Sequence, residues 1–373
     1  MMTTAREPFK DSLFDFRRWA PIFIVLAFFG VTKAANANIF GEDTRHPQSR
    51  ENAGRIYAPI MRIQLNNAIP MEPTPYADFV SGKAKLFSKA MATGFMVSPC
   101  YMLTNYHAVF GKLGGIDSSN IGNFTVTVYP QDGAPILARP ELKGKADDSG
   151  ARINSNDWAL LRLDQCIGEK IGWMERGDID TAAEHGFTYY IAGFPGDLAG
   201  VNPRADLVMS GGCALRVPMT IKFYQDSNGK IISDSSGRFK SSFTDVPIDD
   251  RVRSYYGEIH HDCPMTSGAS GAPIFYIDQN GVPRYVAINA ADSEGRLTPY
   301  EKWTSETSNY AAGLGCTFPK NRGGLEWAEM WRRIDADQKR LGNLNPALKG
   351  FPAEVFTDPQ GVIPAKLLKD PRL

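Results

Sequence analysis

The sequence predicts an all-β protein. Glycine and proline are both somewhat frequent, 35 and 25 of 373 residues, which calls for many turns. Long helical periodicities are scarce. Short β-branched or aromatic runs recur instead, as in Tyr189–Gly193, Ile274–Ile277 and Tyr285–Ala291. Lysine plus arginine and aspartate plus glutamate both total 41, so no global field recruits nucleic acid. The length is ample for two modest domains with tails.

Residues 1–37 read as an address. A mildly basic lead ends in Arg17-Arg18, an apolar run covers Trp19 to Val31, and Ala35-Asn36-Ala37 supplies an A-x-A cleavage site. The run is about 13 residues, short of the roughly 20 that span a bilayer. Cleavage after Ala37 is the expectation, with an uncleaved anchor as the alternative. The residues around the twin arginines fit the folded-protein export motif poorly.

Three stretches carry chemistry. Gly94 to Leu103 is strand-like and ends in Thr104-Asn105-Tyr106-His107-Ala108. An imidazole there, with an ordinary pKa near 6.5, can take and return a proton at neutral pH. Four other histidines, His46, His185, His260 and His261, lack that setting. Gly122 to Pro130 alternates as a strand, and 131–156 reads as a polar, loop-rich approach to Asp157. Asp157 heads the buried-strand pattern Trp158-Ala159-Leu160-Leu161, whereas Asp147 and Asp148 lie among lysine, serine and glycine. A strand-capping role is the plain alternative for Asp157. The third stretch is Thr266-Ser267-Gly268-Ala269-Ser270-Gly271-Ala272-Pro273, followed by the strand-like run Ile274–Ile277. Its small residues free the backbone to aim the N–H groups of Gly268 and Ser270 at one point, as in an oxyanion hole. An ordinary Gly/Ser/Pro turn is the plain reading. His260-His261-Asp262-Cys263 suggests a metal cluster, but neighbouring strand residues point to opposite faces, so no metal and no cofactor are expected.

His, then Asp, then Ser is the chain order of the chymotrypsin-type triad. With these motifs the sequence resembles trypsin-like serine peptidases, and in particular the bacterial glutamyl endopeptidase branch. Asp43-Thr44-Arg45-His46, Tyr57-Ala58-Pro59-Ile60, Ala192-Gly193-Phe194-Pro195-Gly196-Asp197, Gly212-Cys213 and His261-Asp262-Cys263 add to that likeness, which covers roughly residues 39–318.

The resemblance implies two antiparallel six-stranded β-barrels, at about 50–170 and 186–319 within a peptidase domain of 38–319. It implies a triad of His107, Asp157 and Ser270 in the cleft between them, an oxyanion hole from Gly268 and Ser270, and protein or peptide substrates. Asn289, Ala290 and Ala291 would line the substrate cleft. The pocket departs from the glutamate-specific pattern: where those enzymes carry a threonine and a histidine, this chain has Met265 and Asn289, which suggests a small or apolar residue at the cut.

Five cysteines in an exported chain imply two disulfides and one thiol left over. The resemblance favours Cys213–Cys263. Cys100 precedes His107 and Cys166 follows Asp157, so antiparallel strands in this fold would bring that second pair together, leaving Cys316. Beyond Pro319, Trp327, Met330, Trp331, Ile334 and Leu341 recur at helical spacing, predicting a C-terminal helix packed on the second barrel, or a partner-binding helix; 343–373 is Pro-rich and extended. The expected protein is secreted or periplasmic, with no stable membrane association after cleavage. Rival readings are a catalytically silent or zymogen-like binding protein on the same scaffold, and a membrane-tethered interaction protein.

Overall fold

The computed structural model describes residues 39–40, 43–48, 58–70, 72–87, 90–144, 157–178, 182, 185–200, 202, 205–216, 258–291, 297–298, 309–313, 324–342 and 345. The leader, Asp147, Asp148, Cys316 and all of the 343–373 tail except Asn345 lie outside them.

The first half forms a closed barrel. Its strands are β2 (Ile60–Leu65), β3 (Met91–Met96), β4 (Tyr101–Thr104), β5 (Val126–Tyr129), β6 (Ile136–Lys143) and β7 (Ala159–Leu163), after a short β1 (His46–Gln48). They close in the order β2-β3-β4-β7-β6-β5, with β5 pairing back on β2. The strand-like run 94–103 is a hairpin: Val97–Cys100, which includes Pro99, breaks it between β3 and β4. The stretch expected to be loop before Asp157 contains β6. That strand has Pro140 at a bulge and turns Arg139 outward, while Ile136, Ala138 and Pro140 face in.

The second half is built from β8 (Tyr189–Gly193), β9 (Leu207–Cys213), β10 (Leu215–Arg216), β11 (Glu258–His261), β12 (Pro273–Ile277), β13 (Pro283–Ala291) and β14 (Asn309–Gly313). Among the described residues they run β10-β11-β14-β13-β12-β8-β9, and β1 adds to the outer edge of β9. Only Ala214 separates β9 from β10.

Strand alternation divides the apolar residues into three cores. Met61, Met96, Met102, Leu161 and Val126 point into the first barrel. Their strand neighbours Ile60, Phe95, Leu103 and Leu160 point the other way and meet Phe194, Phe275, Tyr285 and Ile288 in a seam between the two sheets. Tyr189, Ile191, Ile259, Ile274 and Val286 form the third core.

The C-terminal helix Gly324–Arg340 closes the seam. Met330 and Ile334, one turn apart, enter it. The helix does not pack on the second sheet alone, as its periodicity suggested. Asp337 accepts hydrogen bonds from Ser98 Oγ at 2.7 Å and Cys100 N at 2.8 Å, and Gln338 donates to Val97 O, all in the first barrel. Trp331 stacks on Tyr285 of the second sheet, 6.3 Å between ring centroids. Periodicity identifies the buried face but not what lies against it.

Candidate active site

Strand register brings His107 and Asp157 together. β4 and β7 are antiparallel with Thr104 opposite Ala159, so the residues just after β4 and just before β7 emerge at the same end. His107 follows β4 on the short helix Tyr106–Phe110, and Asp157 precedes β7. The Asn105 side chain ties the two by donating to the Asp157 carbonyl at 2.8 Å.

The Asp157 carboxylate is almost wholly buried, its side chain 1% exposed against 17% for His107. Each oxygen has a donor. Oδ1 accepts the His107 main-chain N–H at 2.9 Å, and Oδ2 lies 2.7 Å from His107 Nδ1. Two hydrogen bonds offset the hydration that a buried carboxylate loses. Its charge adds to the effect of burial in raising the pKa of neighbouring Tyr106. On the far side of the imidazole, Nε2 lies 2.9 Å from Ser270 Oγ. The three residues singled out in the sequence therefore form one continuous relay across the seam.

The serine turn is braced from several directions. Thr93 of the first barrel donates its N–H to Ser270 O at 2.8 Å and its hydroxyl to Gly268 O at 3.0 Å. Thr104 in turn donates to Thr93 O at 2.7 Å. Gly268 and Gly271 adopt φ of +99° and +87°, in the region that disfavours side chains. A Cβ on Gly268 would meet Phe194 O at 2.6 Å, and one on Gly271 would overlap Thr93 O and Thr104 Oγ1. Ala269 N–H bonds to Thr266 O and Gly271 N–H to Asn289 O. Among the described residues no acceptor takes the N–H of Gly268 or of Ser270. These two donors stand beside the nucleophile candidate, as an oxyanion hole requires.

Of the four cleft candidates, Met265 and Asn289 are placed differently from the expectation. Met265 is fully buried within the third core, beside Cys263 and Ala269, and so is packing rather than an open pocket wall. Asn289 is buried and spends its amide on Ala269 O at 3.0 Å, bracing the serine turn from behind. Ala290 is also buried. Ala291 pairs with Tyr310 through its main chain, and its side chain is outside the described residues. The disulfides are Cys100–Cys166 and Cys213–Cys263. The second removes Cys263 from the His260–Cys263 cluster as a thiolate ligand.

Sequence reading missed a group of charged and hydroxyl residues behind the turn. Arg45, just before β1, bonds to Asp43, Asp197 and Thr266. Arg62, also buried, donates to the carbonyls of Ala199, Gly200 and Asn202. Between them they fasten Asp197, Ala199, Gly200 and Asn202, and Phe194 and Gly196 just before these lie against Gly268. The only sequence signal was that Asp43–His46 and Ala192–Asp197 both belong to the resemblance.

A family model described as trypsin-like peptidase domain matches residues 92–282, just over half of the chain. Among solved structures, a Glu endopeptidase in complex with MPD is 15% identical, with a TM-score of 0.44 over 79% of this chain and 99% of that one. Protease Anisep from Arthrobacter nicotinovorans is 12% identical, with a TM-score of 0.42 over 78% and 99%. No curated protein sequence matches significantly.

Proposed function

Because this chain belongs to the trypsin-like peptidase family, we propose that it is an exported serine endopeptidase working through an acyl-enzyme. The observation that carries this reading is the unbroken relay from Asp157 Oδ2 to His107 Nδ1 at 2.7 Å and from His107 Nε2 to Ser270 Oγ at 2.9 Å. Family membership implies protein substrates.

In this mechanism Ser270 Oγ attacks the scissile carbonyl carbon while its proton passes to His107 Nε2. Asp157 holds Nδ1 protonated and stabilises the imidazolium. The negative charge that develops on the carbonyl oxygen is received by the N–H groups of Gly268 and Ser270. Collapse of the tetrahedral intermediate breaks the C–N bond, and the leaving amine takes the proton from Nε2. Water then repeats the sequence on the acyl-enzyme, giving His107 a proton and returning Ser270 free.

The same reading makes β9 and β10 one strand bent at Ala214. With that bend the second sheet comes round as a six-stranded barrel, since β10 pairs with β11 and β9 with β8, and Cys213–Cys263 staples the junction. Residues 1–37 serve as the signal peptide, 38–319 as the peptidase domain and 320–373 as the helix and tail, with the product secreted or periplasmic.

Labelling the exported protein with a fluorophosphonate probe, followed by peptide mapping, tests the chemistry. Modification of Ser270 that is lost in His107→Ala is expected. Folded protein that neither labels nor cleaves peptides refutes it, and an exported protein that retains residues 1–37 refutes the signal-peptide assignment.

A further inference from the structure

We propose that Arg45 is a positioning residue for the hydrolysis, holding the oxyanion turn in its working geometry from the N-terminal edge of the second sheet. The proposal rests on the peptidase reading above.

The Arg45 side chain is 3% exposed, and a guanidinium is taken out of water only where its donors are met. Here all five N–H groups are used. Nε and Nη2 form a fork on Asp43 at 2.8 Å each. Nη1 and Nη2 form a second fork on Asp197 at 2.9 and 2.8 Å. The remaining Nη1 hydrogen reaches Thr266 Oγ1 at 3.3 Å. Burial opposes the charge, but the two carboxylates outweigh it and raise the Arg45 pKa above its ordinary value.

The far end of this cluster is the turn itself. Thr266 accepts from Arg45 and donates its own hydroxyl hydrogen to Asp197 Oδ1, so its rotamer is fixed from both sides. The Thr266 carbonyl accepts the Ala269 N–H at 3.0 Å, closing the turn in which Gly268 and Ser270 present their donors. Next to Asp197, Gly196 N–H bonds to Ser267 O at 2.5 Å. Asp197 thus belongs to a ledge that touches the turn at two successive residues, and Arg45 anchors that ledge to the chain ahead of β1. β1 in turn is paired with β9, His46 opposite Met209. A surface ion pair has no reason to reach a hydroxyl four residues before the nucleophile. Lysine in place of Arg45 keeps the charge but loses both forks.

Loss of this clamp leaves the triad intact and frees the turn. A misplacement of about 1 Å in a catalytic group costs on the order of 100-fold in rate. In the full exported chain, Arg45→Met is expected to lower kcat about 10–100-fold. KM for a peptide substrate should change little, and fluorophosphonate labelling of Ser270 should slow in parallel. Arg45→Lys should recover only part of the loss. Thr266→Val, which removes one hydroxyl and keeps the shape, should lower kcat in the same direction, and it decides the matter if Arg45→Met does not unfold cooperatively. A merely structural ion pair predicts a lower Tm with kcat per folded molecule unchanged, and that result in either variant overturns the proposal. Wild-type protein that neither labels nor hydrolyses overturns the peptidase reading and this one together, whereas wild-type labelling matched by Arg45→Met overturns this one alone.

Discussion

Replacing His261 by leucine is expected to make the protein more resistant to acid. His261 is fully buried in the strand that precedes the serine turn, and among the described residues neither ring nitrogen has a hydrogen-bond partner. Burial pushes its pKa from 6.5 down to about 3, outweighing the opposing Tyr310 main chain and Asn289 amide. Above pH 6.5 the ring is neutral in both folded and unfolded chains, and its ionisation affects stability in neither direction. Below pH 6.5 the unfolded chain takes up a proton that the folded chain refuses, so stability falls steadily until about pH 3. At about 1.4 kcal/mol per pH unit the full interval costs about 5 kcal/mol, and the step from neutrality to pH 4.5 costs about 3 kcal/mol. Leucine fills a similar volume without the titrating group. Urea unfolding of both proteins at pH 7.5 and 4.5 measures the effect. The wild type should lose about 3 kcal/mol more than His261→Leu between the two conditions. Equal losses would show that the ring is solvated or protonated in the fold, and the reasoning would fail.

Asp157→Asn should cut kcat by about 10⁴ with little change in Tm. The His107 main-chain N–H can only donate, so the asparagine must turn its oxygen there and its NH₂ toward Nδ1, leaving Nε2 protonated and unable to accept from Ser270; initial rates and a thermal melt check both. Gly271→Ala should abolish fluorophosphonate labelling, because a Cβ there overlaps Thr93 O and Thr104 Oγ1 at a φ of +87°. Asp337→Ala should lower stability by about 2–3 kcal/mol by leaving Ser98 and Cys100 N–H without their acceptor, read by urea unfolding, with kcat of the folded fraction preserved.

The candidate triad was legible because each member sits in a local signature whose neighbours announce its setting: small residues around Ser270, an apolar run behind Asp157, a strand end before His107. The clamp behind the turn was not, because its contacts join residues 152 and 221 positions apart, a distance over which no motif speaks. Thr93 and Thr104 were hidden for a different reason. Within a strand they read as ordinary β-formers, and only register shows that their hydroxyls and main chain face the serine turn. β6 was obscured by Pro140 and by its charged outer face, although Ile136, Ala138 and Pro140 keep the period of two. The depth of Met265 and Asn289 was not legible either, since position relative to Ser270 says nothing about which side of the sheet a side chain enters.

The seam between the two sheets has a bearing on how the chain is made. Its apolar cluster draws on Ile60 and Phe95 early in the sequence, Phe275 and Tyr285 late, and Met330 and Ile334 later still. A chain emerging from the ribosome folds its N-terminal portion first, so the first barrel can close on itself before half the seam has been synthesised. Ser270 and His107 come from opposite sides of that seam, and they meet only after the second sheet has been synthesised. The residues that cover their common wall are translated last of all. On the peptidase reading proposed above, a nascent chain would have no nucleophile beside its base until the second sheet had been made.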